Sequence, residues 1–262
     1  MRISDEEAGQ GRSVGDRMVL ILDTVATAPG EVGLSELARL TGLKKATAHR
    51  LASDLVAHRM LERGGYGYRL GLRLFELGQQ VPASRRLRAT ALPFMADLLA
   101  ATGEIVQLGV LDRTDVIYVE KLTGRHSVPV PSAVGTRLPA YCSGLGKAIL
   151  AFEDQAAVDL VLAAPMPART STTITDGPRL LRELETIRDC GVAYDREEGT
   201  RGIVCVAAPI VVESYVGRGG HRAVAGLSVT GPAHRLQPVR LAAAVRTAAL
   251  SISRLLGPVP LR

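Results

Sequence analysis

The sequence predicts an α+β protein in two parts: a small helical head near the amino end, and a larger body in which antiparallel strand pairs alternate with helices. Three observations lead there. Apolar residues recur at three- and four-residue steps as far as about residue 101, interrupted by one short diglycine hairpin, after which strand-like runs interleave with helices. The basic excess is concentrated: residues 35–89 hold eleven Lys/Arg against four acids, whereas residues 90–262 hold eighteen against sixteen. With 262 residues, 47% of them hydrophobic and 22% charged, the chain has material for one large core or two ordinary ones, and disorder as its main state is excluded.

The first helix opens at about Ser13, with Val14, Met18, Ile21, Leu22 and Val25 on its apolar stripe, and Ala28-Pro29-Gly30 breaks it. A second, short helix fits Ser35 to Thr41, with Ser35 as its expected N-cap, Glu36 in the positive first turn, and Leu37, Ala38 and Leu40 as its apolar positions. Gly42 permits a left-handed turn and Leu43 can plug the core beneath it. The third helix runs from about Lys44 to Arg59, with Ala48, Leu51, Leu55 and Val56 inside. Met60 to Arg63 and Tyr66 to Leu70, around Gly64-Gly65, predict a hairpin. Helical pattern resumes from Leu72 to about Gln80, and from Ser84 to Ala101, where Gly103 ends it. Beyond that, residues 105–111, 116–122, 204–213 and 223–230 predict strands, the last two joined by a loop holding Gly217, Gly219 and Gly220. Residues 148–163, 179–190 and 238–256 predict helices, the last with Pro in its first turn and Gly257 after it.

Helix, glycine turn, second helix and a basic hairpin is the layout of a winged helix–turn–helix, in which the second helix enters the major groove. The exposed face near its start would offer Lys44, Lys45, Thr47, His49 and Arg50, with Arg63 and Arg69 on the wing. Lys and Arg suit phosphates and guanine edges, while Thr and His can donate to a phosphate or read a base. A three-helix packing or dimerisation module with solvated charges has the same layout, and the charge asymmetry is what favours a polyanion.

Residues 34–70 resemble the DNA-binding head of IclR-type bacterial transcriptional regulators. Three later stretches resemble the ligand-binding domain of the same family: Gly135 to Pro139 followed by Ser143 to Ala148, Asp195 to Ile210, and Leu227 to Pro232. The four blocks keep order and spacing over roughly residues 13–256. The resemblance implies a winged helix–turn–helix domain over 13–78 after a disordered N-terminus (1–12), a linker helix region over 79–90, and a GAF-like antiparallel α+β effector-binding domain over 91–262. It implies a homodimer or homotetramer that binds double-stranded operator DNA, represses a catabolic or transport operon, and changes operator affinity when a small organic acid binds the C-terminal domain. Carried over by motif position, the effector residues are Leu138, Gly144, Leu145, Asp195, Ile203, Cys205, Ser228 and Thr230. Their chemistry is apt, because free amides at Gly144 to Gly146 ahead of a helix can receive a carboxylate, and Ser228 and Thr230 share one strand face. Tyr141, where small residues are common in the family, is expected to narrow the pocket or to stack on an aromatic acid.

Other readings are weaker. The run Ser143 to Ala148 fails the P-loop spacing, which needs Gly at Tyr141 and Ser or Thr at Ala148. Asp195, Glu197 and Glu198 have no nucleophile or base at a recognisable spacing, so no catalytic residue is expected. Cys205 has no neighbouring Cys or His to share a metal, and neither metal nor cofactor is expected. His126, His221 and His234 are scattered and expected on the surface. No apolar run reaches the roughly 18 residues a membrane span requires, and three widely spaced cysteines suit reduced thiols, so a cytoplasmic protein is expected. The alternative is a small-molecule-binding enzyme or sensor whose helical head mediates protein contacts.

Overall fold

The structure is a computed structural model that describes residues 13–213 and 221–257, with the side chains of residues 82–84 excepted. The N-terminal segment expected to be disordered and the loop of Gly217, Gly219 and Gly220 lie outside the described residues. Two compact units divide the chain, Met1–Pro82 and Ala83–Arg262.

In the first unit, α1 (Val14–Thr27) begins with a reciprocal cap: the Ser13 hydroxyl accepts from the Asp16 amide at 3.1 Å, and the Asp16 carboxylate accepts from the Ser13 amide at 3.0 Å. The next helix, α2 (Leu34–Thr41), corrects an expectation, because its N-cap is Gly33 and not Ser35. Ser35 lies within the first turn, and Gly33 caps through its extended backbone without a side-chain bond. Gly42 ends α2 in the left-handed conformation, φ 68°. Helix α3 (Lys45–Ala57) follows, then a hairpin of β1 (Leu61–Arg63) and β2 (Tyr68–Leu70), and α4 (Leu72–Gln79). Ile21 and Val25 of α1, Leu37 of α2, Leu51, Ala52 and Leu55 of α3, and Leu61 and Tyr68 of the hairpin form one core.

The second unit is built on a six-stranded antiparallel sheet of order β5-β4-β3-β8-β7-β6. Its strands are β3 (Ile105–Asp112), β4 (Asp115–Leu122), β5 (Arg137–Pro139), β6 (Ala193–Arg196), β7 (Ile203–Glu213) and β8 (His221–Pro232). The two-residue alternation of strands divides its faces. Val106, Leu108, Val206, Ala208, Leu227 and Val229 pack on two long helices, α5 (Pro82–Thr102) and α9 (Pro238–Leu256). The opposite face, with Cys205 and Ala207, packs on α6 (Gly144–Leu150), α7 (Gln155–Ala163) and α8 (Gly177–Cys190). The single helix expected over residues 148–163 is thus two helices: α6 begins earlier, at Gly144, and Asp154 starts a new one by accepting from the Ala157 amide at 2.9 Å. The three-residue strands β5 and the four-residue β6 were not anticipated, since alternation over so few residues has no readable period.

Candidate functional site

Two groups of residues stand out, one in each unit. In the head, burial of Ala48, Leu51, Ala52 and Leu55 turns the opposite side of α3 outward. Lys45, His49 and Arg50 are exposed on it, Lys44 is exposed at the N-cap, and Thr47 is half-buried. Helices α1 and α2 each place an acid in the positive first turn, Asp16 and Glu36, whereas α3 places none there and starts on two lysines. The partial positive charge of the helix end and two ammonium groups therefore add, an arrangement unfavourable in isolation and favourable toward an anion. The Arg63 guanidinium of the wing lies 3.4 Å from His49 Nε2 and 5.5 Å from the centre of the Tyr68 ring, which ties the hairpin to α3. Two of the expected cations have acidic neighbours: Arg50 pairs with Asp54 at 3.5 Å and Arg69 with Glu62 at 3.0 Å.

In the body, all eight residues expected to hold an effector line one cavity of about 40 Å³. Strand register explains the convergence. Asp195 of β6 stands opposite Cys205 of β7, and Cys205 opposite Thr230 of β8. Ser228, two residues before Thr230, faces Gln107 of β3. These side chains form a polar patch on a sheet face that is otherwise apolar. Leu138 enters from β5, Ile203 from the start of β7, and Ser143, Gly144 and Leu145 from the start of α6. Close packing demands the glycines there: a Cβ on Gly144 would come within 2.7 Å of Cys205 Sγ, and one on Gly146 within 2.3 Å of the Ala140 backbone.

The loop after β6 is anchored by an ion pair inside the protein. Lys147 of α6 is fully buried, and its Nζ donates to both carboxylate oxygens of Glu198, at 2.7 and 2.8 Å, and to Glu183 at 3.2 Å. The Glu198 amide donates in turn to Asp195 Oδ1 at 2.7 Å. Burial pushes the Asp195 carboxyl up to about 7, an effect that the Glu198 amide and the Lys147 charge oppose and the Glu198 charge reinforces. Burial likewise raises the Cys205 thiol to about 12, so it presents a neutral S–H to the cavity. Thr230 Oγ1 donates to Gln107 Oε1 at 2.9 Å, and Gln107 Nε2 donates to Ser132 Oγ at 2.5 Å. Among the described residues Ser228 Oγ, fully buried, has no partner of its own beyond the weakly bonding Cys205 thiol beside it. A buried hydroxyl without a full bond is costly unless something completes it.

Two expectations change here. Tyr141 does not enter the cavity: its hydroxyl donates to the Pro167 carbonyl at 2.7 Å, so it neither narrows the pocket nor offers its ring there. Gly144 to Gly146 form the first turn of α6 rather than preceding it, and the Gly146 amide is already taken by Ser143 Oγ at 3.0 Å. Gln107, Tyr118, Ser132, Ser143 and Thr200 also line the cavity and were missed. Gln107 was findable, being the one amide in the apolar run Ile105 to Leu111. Ser132 was not, because it reaches the cavity from a long irregular segment. His126, His221 and His234 are exposed, as expected. Among the described residues no cluster of His, Cys, Asp or Glu could hold a metal ion, and no helix is long and apolar enough to cross a membrane.

Comparison with known proteins agrees with this division. The family model described as the IclR helix-turn-helix domain matches residues 16–65, and the one described as the bacterial transcriptional regulator IclR C-terminal matches residues 79–254. The HTH-type transcriptional regulator XynR of Escherichia coli is 30% identical over 248 residues, 92% of this chain and 96% of its own length. The HTH-type transcriptional repressor AllR of the same species is 29% identical over 256 residues, 95% of this chain and 92% of its own. A solved structure of an IclR homologue from Microbacterium hydrocarbonoxydans, complexed with 4-hydroxybenzoate, superposes with a TM-score of 0.82 at 30% identity, covering 92% of this chain and 98% of that one.

Proposed function

The chain belongs to the IclR family of transcriptional regulators, with a DNA-binding helix–turn–helix and a C-terminal ligand-binding domain, and from that premise we propose that it represses a catabolic or transport operon until a small organic acid enters the Asp195–Ser228 cavity. The proposal includes a cytoplasmic homodimer or homotetramer, DNA contacts from Lys44, Lys45, Thr47, His49, Arg50, Arg63 and Arg69, and effector contacts from the eight cavity residues. It also takes residues 13–78 as the DNA-binding domain, 79–90 as the linker helix and 91–262 as the effector domain. The repressor sign draws on the name of AllR, and the organic-acid class on the 4-hydroxybenzoate bound by the Microbacterium homologue.

The unpartnered Ser228 hydroxyl inside the cavity carries the effector reading. A volume of about 40 Å³ has room for roughly three water-sized groups, which suits a short acid. Among the described residues no lysine, arginine or histidine lines the cavity, so a carboxylate would rely on hydroxyl donors and on Asp195 in its protonated form. The effector shifts a population: it binds one arrangement of the protein better, and coupling of about 1–3 kcal/mol suffices to change operator occupancy. Gel retardation of DNA upstream of its own gene, with short hydroxy and oxo acids titrated in, tests this. Release by one of them that is absent in Ser228→Ala, which removes the hydroxyl the cavity leaves without a full bond, is the expected result. Tighter retention on adding the acid would reverse the assigned sign.

A further inference from the structure

The tip of the wing is a tyrosine facing solvent. Tyr66 is 94% exposed in a chain that has three Phe, six Tyr and no Trp. Its backbone, by contrast, is held tightly. Glu31 Oε2 accepts from the Tyr66 amide at 2.7 Å and from the Gly67 amide at 3.1 Å. The Gly64 amide donates to the Gly67 carbonyl at 2.9 Å, and Val32 and Tyr68 exchange two backbone bonds of 2.9 Å. Packing also limits the turn: a Cβ on Gly67 would lie 2.3 Å from the Val32 carbonyl oxygen, and one on Gly64 would displace the Glu31 carboxylate, whereas Gly65 has open space around it. The protein thus fixes the turn and leaves the ring at its apex uncovered. Where the strands enter that turn, Arg63, opposite Tyr68, reaches His49 on the exposed face of α3.

We propose that Tyr66 is a DNA contact, its ring packing on the deoxyribose wall of the minor groove next to the major-groove segment entered by α3. The proposal rests on the reading that the Lys45–Arg50 face of α3 and Arg63 meet the duplex. A wing flanking a recognition helix meets the adjacent groove, where sugars present apolar surface between two rows of phosphates. Arg63 and Arg69 lie on the two strands just below the turn, suited to phosphates, while the neutral ring at the apex suits the sugar surface between them. Tyrosine gives much contact area for two side-chain torsions, and a clamped turn leaves little backbone entropy to lose on binding.

The chain has no tryptophan, so Tyr66→Trp places a single emitter at the wing tip. A fluorescein-labelled duplex from the DNA upstream of the gene is titrated, with its anisotropy and the tryptophan emission followed together. The emission is expected to change in step with the anisotropy. Tyr66→Ala is expected to bind roughly tenfold more weakly, with melting temperature and salt slope unchanged, while Arg63→Ala lowers that slope by about one. Emission that stays flat while the anisotropy saturates, or wild-type affinity in Tyr66→Ala, overturns the proposal and leaves the α3 reading standing. Anisotropy that never rises for the wild-type protein overturns both. A change in oligomeric mass in Tyr66→Ala also overturns it, assigning the ring to a contact between copies of the chain.

Discussion

The head and the body handle charge in opposite ways. On the head the charges sit at the surface: Arg50 and Arg69 keep about 60% of their side chains exposed even while pairing with Asp54 and Glu62. In the body Lys147 is fully buried against Glu198, and Asp195 is buried beside them. The difference follows from the ligand each region suits. A polyanion is bound by exchanging its counterions for side-chain cations, which requires charges that water already reaches. A small molecule is distinguished by what it must give up on leaving water, which requires polar groups held in place where water is scarce. Surface pairs such as Arg69–Glu62 therefore add little to stability, whereas the buried pair couples the loop that lines the cavity to the helix beside it.

That contrast can be broken most forcefully at Lys147. Lys147→Met leaves the Glu198 carboxylate buried without its cation and is expected to destabilise the protein by about 3–5 kcal/mol, read by urea unfolding. A double substitution that also makes Glu198 apolar should recover much of the loss. If the single variant melts like the wild type, the pair is not desolvated as described.

A smaller effect is expected at Asp195. Its carboxyl is raised from 3.8 to about 7, so the folded state holds the proton more tightly than the unfolded one. Its contribution to stability is therefore fully present below about pH 4 and is lost as pH rises through 7. Asp195→Asn should gain stability over the wild type at pH 8, by on the order of a few kcal/mol, and the gain should shrink toward pH 5. The same protonation makes an anionic effector bind better at pH 6 than at pH 8, provided Asp195, facing Glu198, Cys205 and Tyr118, is the group that titrates. A pH-independent difference between wild type and Asp195→Asn would exclude this.

On the head the expected cost moves from stability to affinity. Lys45→Ala and Arg50→Ala should each weaken duplex binding by about tenfold and lower the log–log salt slope by about one, with unchanged melting temperatures. Arg69→Ala should have the smallest effect on stability, below about 1 kcal/mol, because its partner Glu62 is also solvated. A drop in melting temperature for Lys45→Ala would mean that this face packs rather than binds.

How much of this was legible depended on how local the signal is. The helices of the head were readable because apolar spacing, Pro29-Gly30 and Gly42 act within a few residues of one another. Ser35 misled because its type suits a cap, while the extended backbone that makes a cap belongs to Gly33. Within the cavity, Ser228 and Thr230 could be placed on one face by counting in twos, and Gln107 stood out in an apolar run. Ser132 and the outward turn of Tyr141 had no such signal, because contacts far away along the chain settle both.

The sequence by itself determined the helices of the head, the four long strands of the body, the basic face of α3, and the family motifs that converge on the cavity, since all of these are written in residue type and short spacing. Only the tertiary structure decided that Lys147 meets Glu198 across 51 positions, that Ser228 is left without a strong partner, and that Tyr66 crowns a clamped turn. Each of those depends on strand register and on the packing of α6 against the sheet. Period and propensity are local quantities, and they do not record which distant side chains a fold will bring together.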